Sequence, residues 1–478
     1  MSVTAASLTS FVSFRTSAFS REAKLKIVVA ILIVCCFCIR TFTSWRNWGD
    51  LDHASGTWIA MALDARDGVL YRPIVSEIGY GGTRYAPLHV LVHASLMKMG
   101  IDPITGGYLI GIVSAAVLIA ATFQLMRRLE VAPVTAAIMG CFLLSAHCLA
   151  VGVAGIRGDL LAAALDICGV AAVAGAAIPL AAICFVLALA TKVTCIFGAV
   201  ASVAWLACSD RRREAIRLAA MWIIGAAIVV LLTQWISDGR AAGIFAACAD
   251  GGGELMTLLV APLAMVNNAI HYDPIALAML IVALLLLPGH LRATSLPVML
   301  LLITLAGTVT IFGTPGTNIN HLIDLHAAVI VFLATRCRGQ RLGTAMAAPL
   351  VLACTAAVVC LEQARHIQVE SRSTTAVAVL ADVARSPVQG PILSENPLLP
   401  LEAAQRPYLL DAYMFRVLIQ RQPSIADKMW DDLRHQRFGA VVIYNRHSFG
   451  REFMDRLNAT YNLATQHDDY EIYFPRPR

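Results

Sequence analysis

Of 478 residues, 58% are hydrophobic and only 14% charged, with a mean hydropathy of +0.70; soluble domains carry about 25% charged residues, so a soluble globular fold is excluded. The net charge of +6 sits in short Arg and Lys clusters beside apolar runs, a topology signal rather than a nucleic-acid surface, so no nucleic-acid partner is expected. The 13 cysteines lie almost entirely within those runs, where they act as small hydrophobes, and indicate neither zinc nor a disulfide framework.

Runs of about 17 to 22 apolar residues cross a hydrocarbon core of ~30 Å. Arg21, Lys24 and Lys26 hold the N-terminus in the cytoplasm and send a retained first span (about 26–43) outward. A long polar stretch, Trp45 to Pro87, then lies outside, and Leu88 to Met99 reads as an interfacial or re-entrant helix. Further spans follow at about 106–126, 132–153, 160–176, 178–190, 193–208 and 216–236. Ser237 to Tyr272 reads as an outer loop, with the turn Asp250-Gly251-Gly252-Gly253-Glu254 inside it. The last spans fall at about 273–287, 296–312, 322–335 and 343–361, making about 11 in all. Arg127-Arg128, Arg211 to Arg213, Arg292 and Arg336 to Arg341 all then fall on the cytoplasmic side. The expectation is a polytopic α-helical membrane domain, 1–361, with a first outer loop at 44–104.

From Glu362 the composition becomes that of a soluble domain. Helix-like segments (Ala376–Ala384, Asp411–Ile419, Ala426–Arg437) alternate with short strands (Gly390–Ser394, Phe438–Tyr444), which predicts a small extracytoplasmic α/β domain over 362–478.

Three polar constellations gather at the outer face. Asp50 and Asp52, beside His53, can chelate a divalent cation with a sugar phosphate or supply a base for an acceptor hydroxyl; either can equally cap the helix that follows. Arg157, Asp159 and Lys192 stand at helix ends, where ionisable groups are costly. They can hold a phosphate, or Arg157 can pair with Asp159 while Lys192 snorkels to headgroups. Asn318, Asn320, His321 and Asp324 suit hydroxyl recognition, or capping and turn chemistry. Asp166 can be a buried partner for a neighbouring helix.

The pattern resembles the GT-C superfamily of polyprenyl-phosphate-sugar-dependent glycosyltransferases, which includes the protein O-mannosyltransferases and the aminoarabinose transferases of lipid A. The likeness rests on the acidic motif after span 1 (Asp50, Asp52), Leu70-Tyr71-Arg72 and Tyr85-Ala86-Pro87-Leu88 before an interfacial helix, Arg157-Gly158-Asp159-Leu160-Leu161, and Thr191-Lys192. The resemblance implies transfer of a sugar from a polyprenyl-phosphate donor to a hydroxyl of a glycan, lipid or protein acceptor. It places the reaction at the outer face of a bacterial inner membrane, among membrane lipids. It also implies Asp50 or Asp52 as base and Arg84, Arg157 and Lys192 around the leaving phosphate. His53, Tyr85, Asp159, Asn318, Asn320, His321 and Asp324 would contact substrate, and Mg²⁺ or Mn²⁺ could sit on Asp50 and Asp52. Members commonly carry an Asp-Glu pair where this chain has Asp50-Leu51-Asp52. The rival readings are a membrane transporter or lipid flippase, which favours internal repeats and mid-membrane polar sites, and a non-catalytic envelope scaffold.

Overall fold

The computed structural model describes residues 21–48, 51–249, 255–288, 295–314, 316–336, 347–369, 372–444, 446–467 and 470–477. Asp50, the 250–254 turn, Arg292, Arg338 and Arg341 lie outside the described residues. The first predicted span is α1 (Arg21–Asn47). Helices α2 (His53–Arg66) and α3 (Pro87–Lys98) frame the first outer loop. A capping aspartate, Asp102, accepts from Ile104 and Thr105 and starts α4 (Pro103–Arg128). Then come α5 (Pro133–Phe142), α6 (His147–Ala154), α7 (Asp159–Ala174), α8 (Ile178–Thr191), α9 (Phe197–Cys208), α10 (Arg212–Ile236), α11 (Arg240–Ala249), α12 (Leu255–Tyr272), α13 (Pro274–Leu286), α14 (Leu296–Phe312), α15 (Leu322–Arg336) and α16 (Ala347–Val369).

Among the described residues four helices are long and apolar enough to cross a membrane alone, and five shorter apolar helices accompany them. Burial sorts their places. The span Ile319–Arg336 is 78% buried and forms the centre of the bundle, whereas Arg212–Ile236 is 11% buried and turns its apolar residues to lipid.

Two expectations are corrected. The predicted span at 132–153 is broken: α5 and α6 meet at 72° across a 3₁₀ turn, and Ala146 is extended. Non-helical backbone at membrane depth needs protein partners. Asp273 supplies one, accepting from the Cys148 amide at 2.7 Å while its other oxygen caps α13 through Ala276. The predicted outer loop Ser237–Tyr272 contains α11 and α12. Pro262 and Asn267-Asn268 interrupt the apolar pattern there, yet the backbone stays helical through Pro262.

The C-terminal unit adds α17 (Arg372–Val383), β1 (Ile392–Ser394), α18 (Leu398–Glu402), α19 (Ala412–Arg421), α20 (Asp427–Arg434), β2 (Ala440–Ile443), α21 (Arg446–Thr460), β3 (Tyr461–His467) and β4 (Tyr470–Pro475). The sheet order is β1-β2-β4-β3; β1 and β2 are parallel, the other pairs antiparallel. The sequence reading found β1 and β2 and missed β3 and β4, of which β3 is an edge strand with mostly exposed residues.

The first outer loop is built into this unit. Tyr80 is fully buried in the core with Tyr408, Phe415 and Phe438. Its amide donates to the Tyr408 carbonyl at 2.7 Å, and its own carbonyl accepts from Leu410 at 3.0 Å. Gly79 has φ +144°, and a Cβ there would fall on the Tyr408 backbone, so only glycine lets the strands approach. Arg72 forms a buried ion pair with Asp64 at 2.9 Å and donates to the Pro407 carbonyl at 2.7 Å. Arg406 also reaches Asp64, at 2.7 Å, and pairs with Asp67. Part of the charge that makes this loop conspicuous in the sequence thus ties it to the C-terminal unit.

Candidate functional site

One set of helix ends, the loop between α1 and α4 and the C-terminal unit enclose a cavity of about 1240 Å³. That exceeds the space one small ligand needs and suits two substrates meeting. Each wall follows from local sequence. Asp52 is the N-cap of α2: its Oδ1 accepts from the Ser55 amide at 3.0 Å and the Ser55 hydroxyl at 3.2 Å. Its Oδ2 takes the Arg157 guanidinium. Arg157 projects from the glycine-flanked break between α6 and α7, where the helix has not restarted. Capping and pairing, alternatives in the sequence, are both realised, with Asp52 rather than Asp159 as the partner of Arg157.

Asp159 opens α7, and Lys192 closes α8 with extended backbone. Lys192 Nζ lies 2.6 Å from Asp159 Oδ1, with side chains 16% and 10% exposed, so Lys192 turns inward instead of snorkelling to headgroups. Asn320 Nδ2 donates to the same oxygen at 2.8 Å. Asn318 spends its carbonyl oxygen on the Ile319 amide at 2.7 Å, the turn chemistry foreseen as the alternative. His321 completes this wall.

Tyr85 stacks on Trp58, ring centroids 4.4 Å apart at 21°. The stack needs Gly158, since a Cβ there would stand 3.0 Å from the Trp58 ring and 3.3 Å from the Thr191 methyl. Asp52, His53, Arg84, Tyr85, Arg157, Asp159, Lys192, Asn318, Asn320 and His321 all line the cavity. Asp324 does not line it. One turn into α15, its carboxylate receives the Cys195 thiol at 3.7 Å, below the cavity floor. Asp166 accepts from the Gly198 amide on α9 at 2.9 Å, the neighbouring-helix role open in the sequence.

Sequence reasoning missed the wall supplied by the C-terminal unit, where Glu395, Glu402, Asp411, Tyr413 and Arg416 face the cavity. The one local signal was Asp411 at the head of an expected helix. It caps α19, accepting from Met414 at 3.0 Å.

Two of the cavity carboxyls, Asp52 and Asp411, are tuned apart. Burial works against ionisation of Asp52, but Arg157, His53 and the Ser55 amide outweigh it and hold the carboxyl below the ordinary carboxylate range. Burial pushes Asp411 up, and the Met414 amide, His53 and Arg84 recover only part of that.

For a metal, Asp52 is a poor fit as arranged, because one oxygen is committed to Ser55 and the other to a guanidinium. Among the described residues the grouping that can hold a cation is Asp166, Cys195 and Asp324, whose ligand atoms lie within 4.8 Å of one another.

The fold matches ArnT from Cupriavidus metallidurans. The apo form superposes with a TM-score of 0.61 at 11% identity, covering 93% of this chain and 97% of that one. The form bound to undecaprenyl phosphate gives 0.60 at 10% identity with the same coverage. The apo Archaeoglobus fulgidus oligosaccharyltransferase gives 0.58 at 10% identity, covering 89% of this chain and 70% of that one. Other structures of that enzyme hold zinc and sulfate, or an inhibitory peptide and a dolichol-phosphate. No protein-family model and no curated protein matches the sequence. The likeness to these two enzymes is thus one of fold, and with ArnT it extends over nearly the whole chain.

Proposed function

We propose that this protein is a membrane glycosyltransferase that moves one sugar from a polyprenyl-phosphate donor to an acceptor hydroxyl at the outer face of a bacterial inner membrane. The observation that carries this reading is the convergence of two ion pairs, Asp52 with Arg157 and Asp159 with Lys192, in one cavity at the outer helix ends. The undecaprenyl phosphate bound to ArnT and the dolichol-phosphate bound to the archaeal enzyme support a lipid-phosphate donor. The membrane domain of 1–361 would present the donor, and the outer domain of 362–478 would close over the acceptor.

In the proposed reaction the acceptor oxygen attacks the anomeric carbon, inverting it, as the bond from that carbon to the phosphate oxygen breaks. The electron pair leaves with the polyprenyl phosphate. The hydroxyl proton passes to the carboxylate of Asp52, or of Asp50 two positions earlier in the sequence. Arg84, Arg157 and Lys192 stabilise the charge that grows on the departing phosphate. Tyr85, held flat by Trp58, offers a ring face to the sugar, with His53, Asn318, Asn320 and His321 around it. Asp159 positions Lys192 and acts through it. Mg²⁺ or Mn²⁺ on Asp52 would require Arg157 to leave, so no step is routed through a cation.

The test is to incubate the purified full-length protein with a panel of polyprenyl-phosphate sugars and mixed acceptors and to measure free polyprenyl phosphate. Sugar-dependent release supports the reading. Tight donor binding with no release across the panel, together with lipid movement between leaflets, would replace it by transport.

A further inference from the structure

The cations around the cavity fall into two classes. Arg157 and Lys192 each face an acid at ion-pair distance. Arg84 and Arg416 do not: among the described residues neither forms an ion pair or a hydrogen bond. Both guanidiniums instead stand over the ring of Tyr413, their carbons 5.2 and 5.6 Å from its centroid. They arrive there from different walls, Arg84 from the first outer loop and Arg416 from α19 of the outer domain.

Three details make this a built arrangement. The Arg416 Nε is buried without a hydrogen-bond partner, a donor whose desolvation no hydrogen bond from the described residues offsets. Asp411, the acid that faces Arg84, gives its carboxylate to the Met414 amide at 3.0 Å, and no ion pair forms. Gly316, with φ +79°, carries the loop before α15 up to the same place: a Cβ on it would lie 3.6 Å from the Tyr413 ring and 3.8 Å from an Arg84 nitrogen. Two like charges thus converge on one aromatic ring at the cavity wall, with donors left over. An anion bridging them would satisfy the free N–H groups and relieve the repulsion together.

We propose that Arg84 and Arg416 form, over Tyr413, an anion subsite for a phosphate or carboxylate group, and that this group belongs to the acceptor. Its placement carries the assignment: the subsite is half made of the outer domain, whereas Arg157 and Lys192 stand at helix ends, where a lipid-linked phosphate comes to rest. The identity of the anion's owner rests on the glycosyltransferase reading; the subsite itself does not. Arg84 then lies between the two phosphate positions and orients both substrates.

The experiment uses the full-length protein in detergent and three probes: glucose 6-phosphate, glucose, and undecaprenyl phosphate. Wild-type protein is expected to bind glucose 6-phosphate in preference to glucose. Arg416→Gln is expected to weaken glucose 6-phosphate binding about tenfold or more while leaving undecaprenyl phosphate within about twofold. Arg416→Lys, which keeps the charge but not the planar fork, should fall between. Unfolding midpoints of each variant separate lost binding from lost fold. If Arg416→Gln weakens undecaprenyl phosphate alone, the anion is the donor's and the acceptor assignment is overturned. If wild type shows no preference for the phosphorylated sugar, and neither Arg416→Gln nor Arg84→Gln changes binding of either anion, the subsite is overturned. Failure of the glycosyltransferase reading looks different: wild-type protein would not bind undecaprenyl phosphate at all.

Discussion

Lys192→Met separates two roles that the geometry gives to one side chain. Its ammonium lies 2.6 Å from Asp159 Oδ1, in a site where the partners are only 16% and 10% exposed. Removing one member of a buried pair costs about 3 to 5 kcal/mol, because the other charge is stranded. The Asn320 hydrogen bond to Asp159 survives, which places the loss toward the lower end. Adding Asp159→Asn removes the stranded charge and keeps a group that Asn320 can bond, so the double variant should recover most of the stability. Donor binding should behave otherwise. A charge-assisted contact to phosphate contributes about 1.5 to 3 kcal/mol, roughly ten- to a hundredfold in Kd, and the double variant lacks it just as the single one does. Chemical unfolding in detergent gives the first quantity. Quenching of Trp48 and Trp58, which line the cavity, by titrated undecaprenyl phosphate gives the second. A double variant that regains both stability and donor affinity would show that Lys192 serves only to neutralise Asp159. A single variant as stable as wild type would refute the buried-pair argument itself.

Three other outcomes follow from the same geometry. Arg72→Met, which leaves the buried Asp64 with Arg406 as its remaining ion-pair partner and breaks the bond to Pro407, should cost about 1.5 to 3 kcal/mol in unfolding assays, with donor affinity per folded molecule unchanged; altered affinity would place the Arg72 cluster in the site. Asp52 is held below the ordinary carboxylate range, so its contribution to stability is full above about pH 4 and fades as pH falls through its lowered folded-state value. The rate should accordingly show no acid limb attributable to Asp52 between about pH 5 and 8, and a limb near pH 6 to 7 in the pH–rate profile would assign proton removal to another group. A reporter active only in the cytoplasm, fused after Arg478, should be silent, and activity there would overturn the outward placement of the C-terminal domain.

The sequence announced the parts of the site that sit at helix ends. Arg157 between glycines and Lys192 between two apolar runs are legible because charge next to a membrane span is expensive and therefore conspicuous. Which acid each would pair with was not legible. The Asp52–Arg157 contact joins residues 105 positions apart, and its choice over Asp159 depends on how the fold seats α2. The break in the α5–α6 span was hidden for a related reason: the residue that satisfies the freed Cys148 amide is Asp273, 125 positions on. The outer-domain wall escaped notice because Tyr413 and Arg416 belong to an amphipathic helix of ordinary composition. Conversely, Asp64, Asp67 and Arg72, charged members of the long polar stretch, prove to be fasteners between loop and C-terminal unit. Asp324 looked like a sugar contact from its neighbours Asn318 and Asn320, but one further helical turn carries it beneath the floor.

The account turns on a carboxylate at the head of α2 taking the acceptor proton, and Asp52→Asn, Asp50→Asn and their combination test it most directly. Asn keeps the size of the side chain and an oxygen for the Ser55 cap, so expression and donor binding should persist. The measurement is single-turnover sugar transfer to a saturating acceptor, monitored as release of polyprenyl phosphate. The expected result is a fall of about 10² or more in the variant that removes the base, and in the double variant. Near-normal transfer by all three would contradict the account and move the catalytic centre away from this loop.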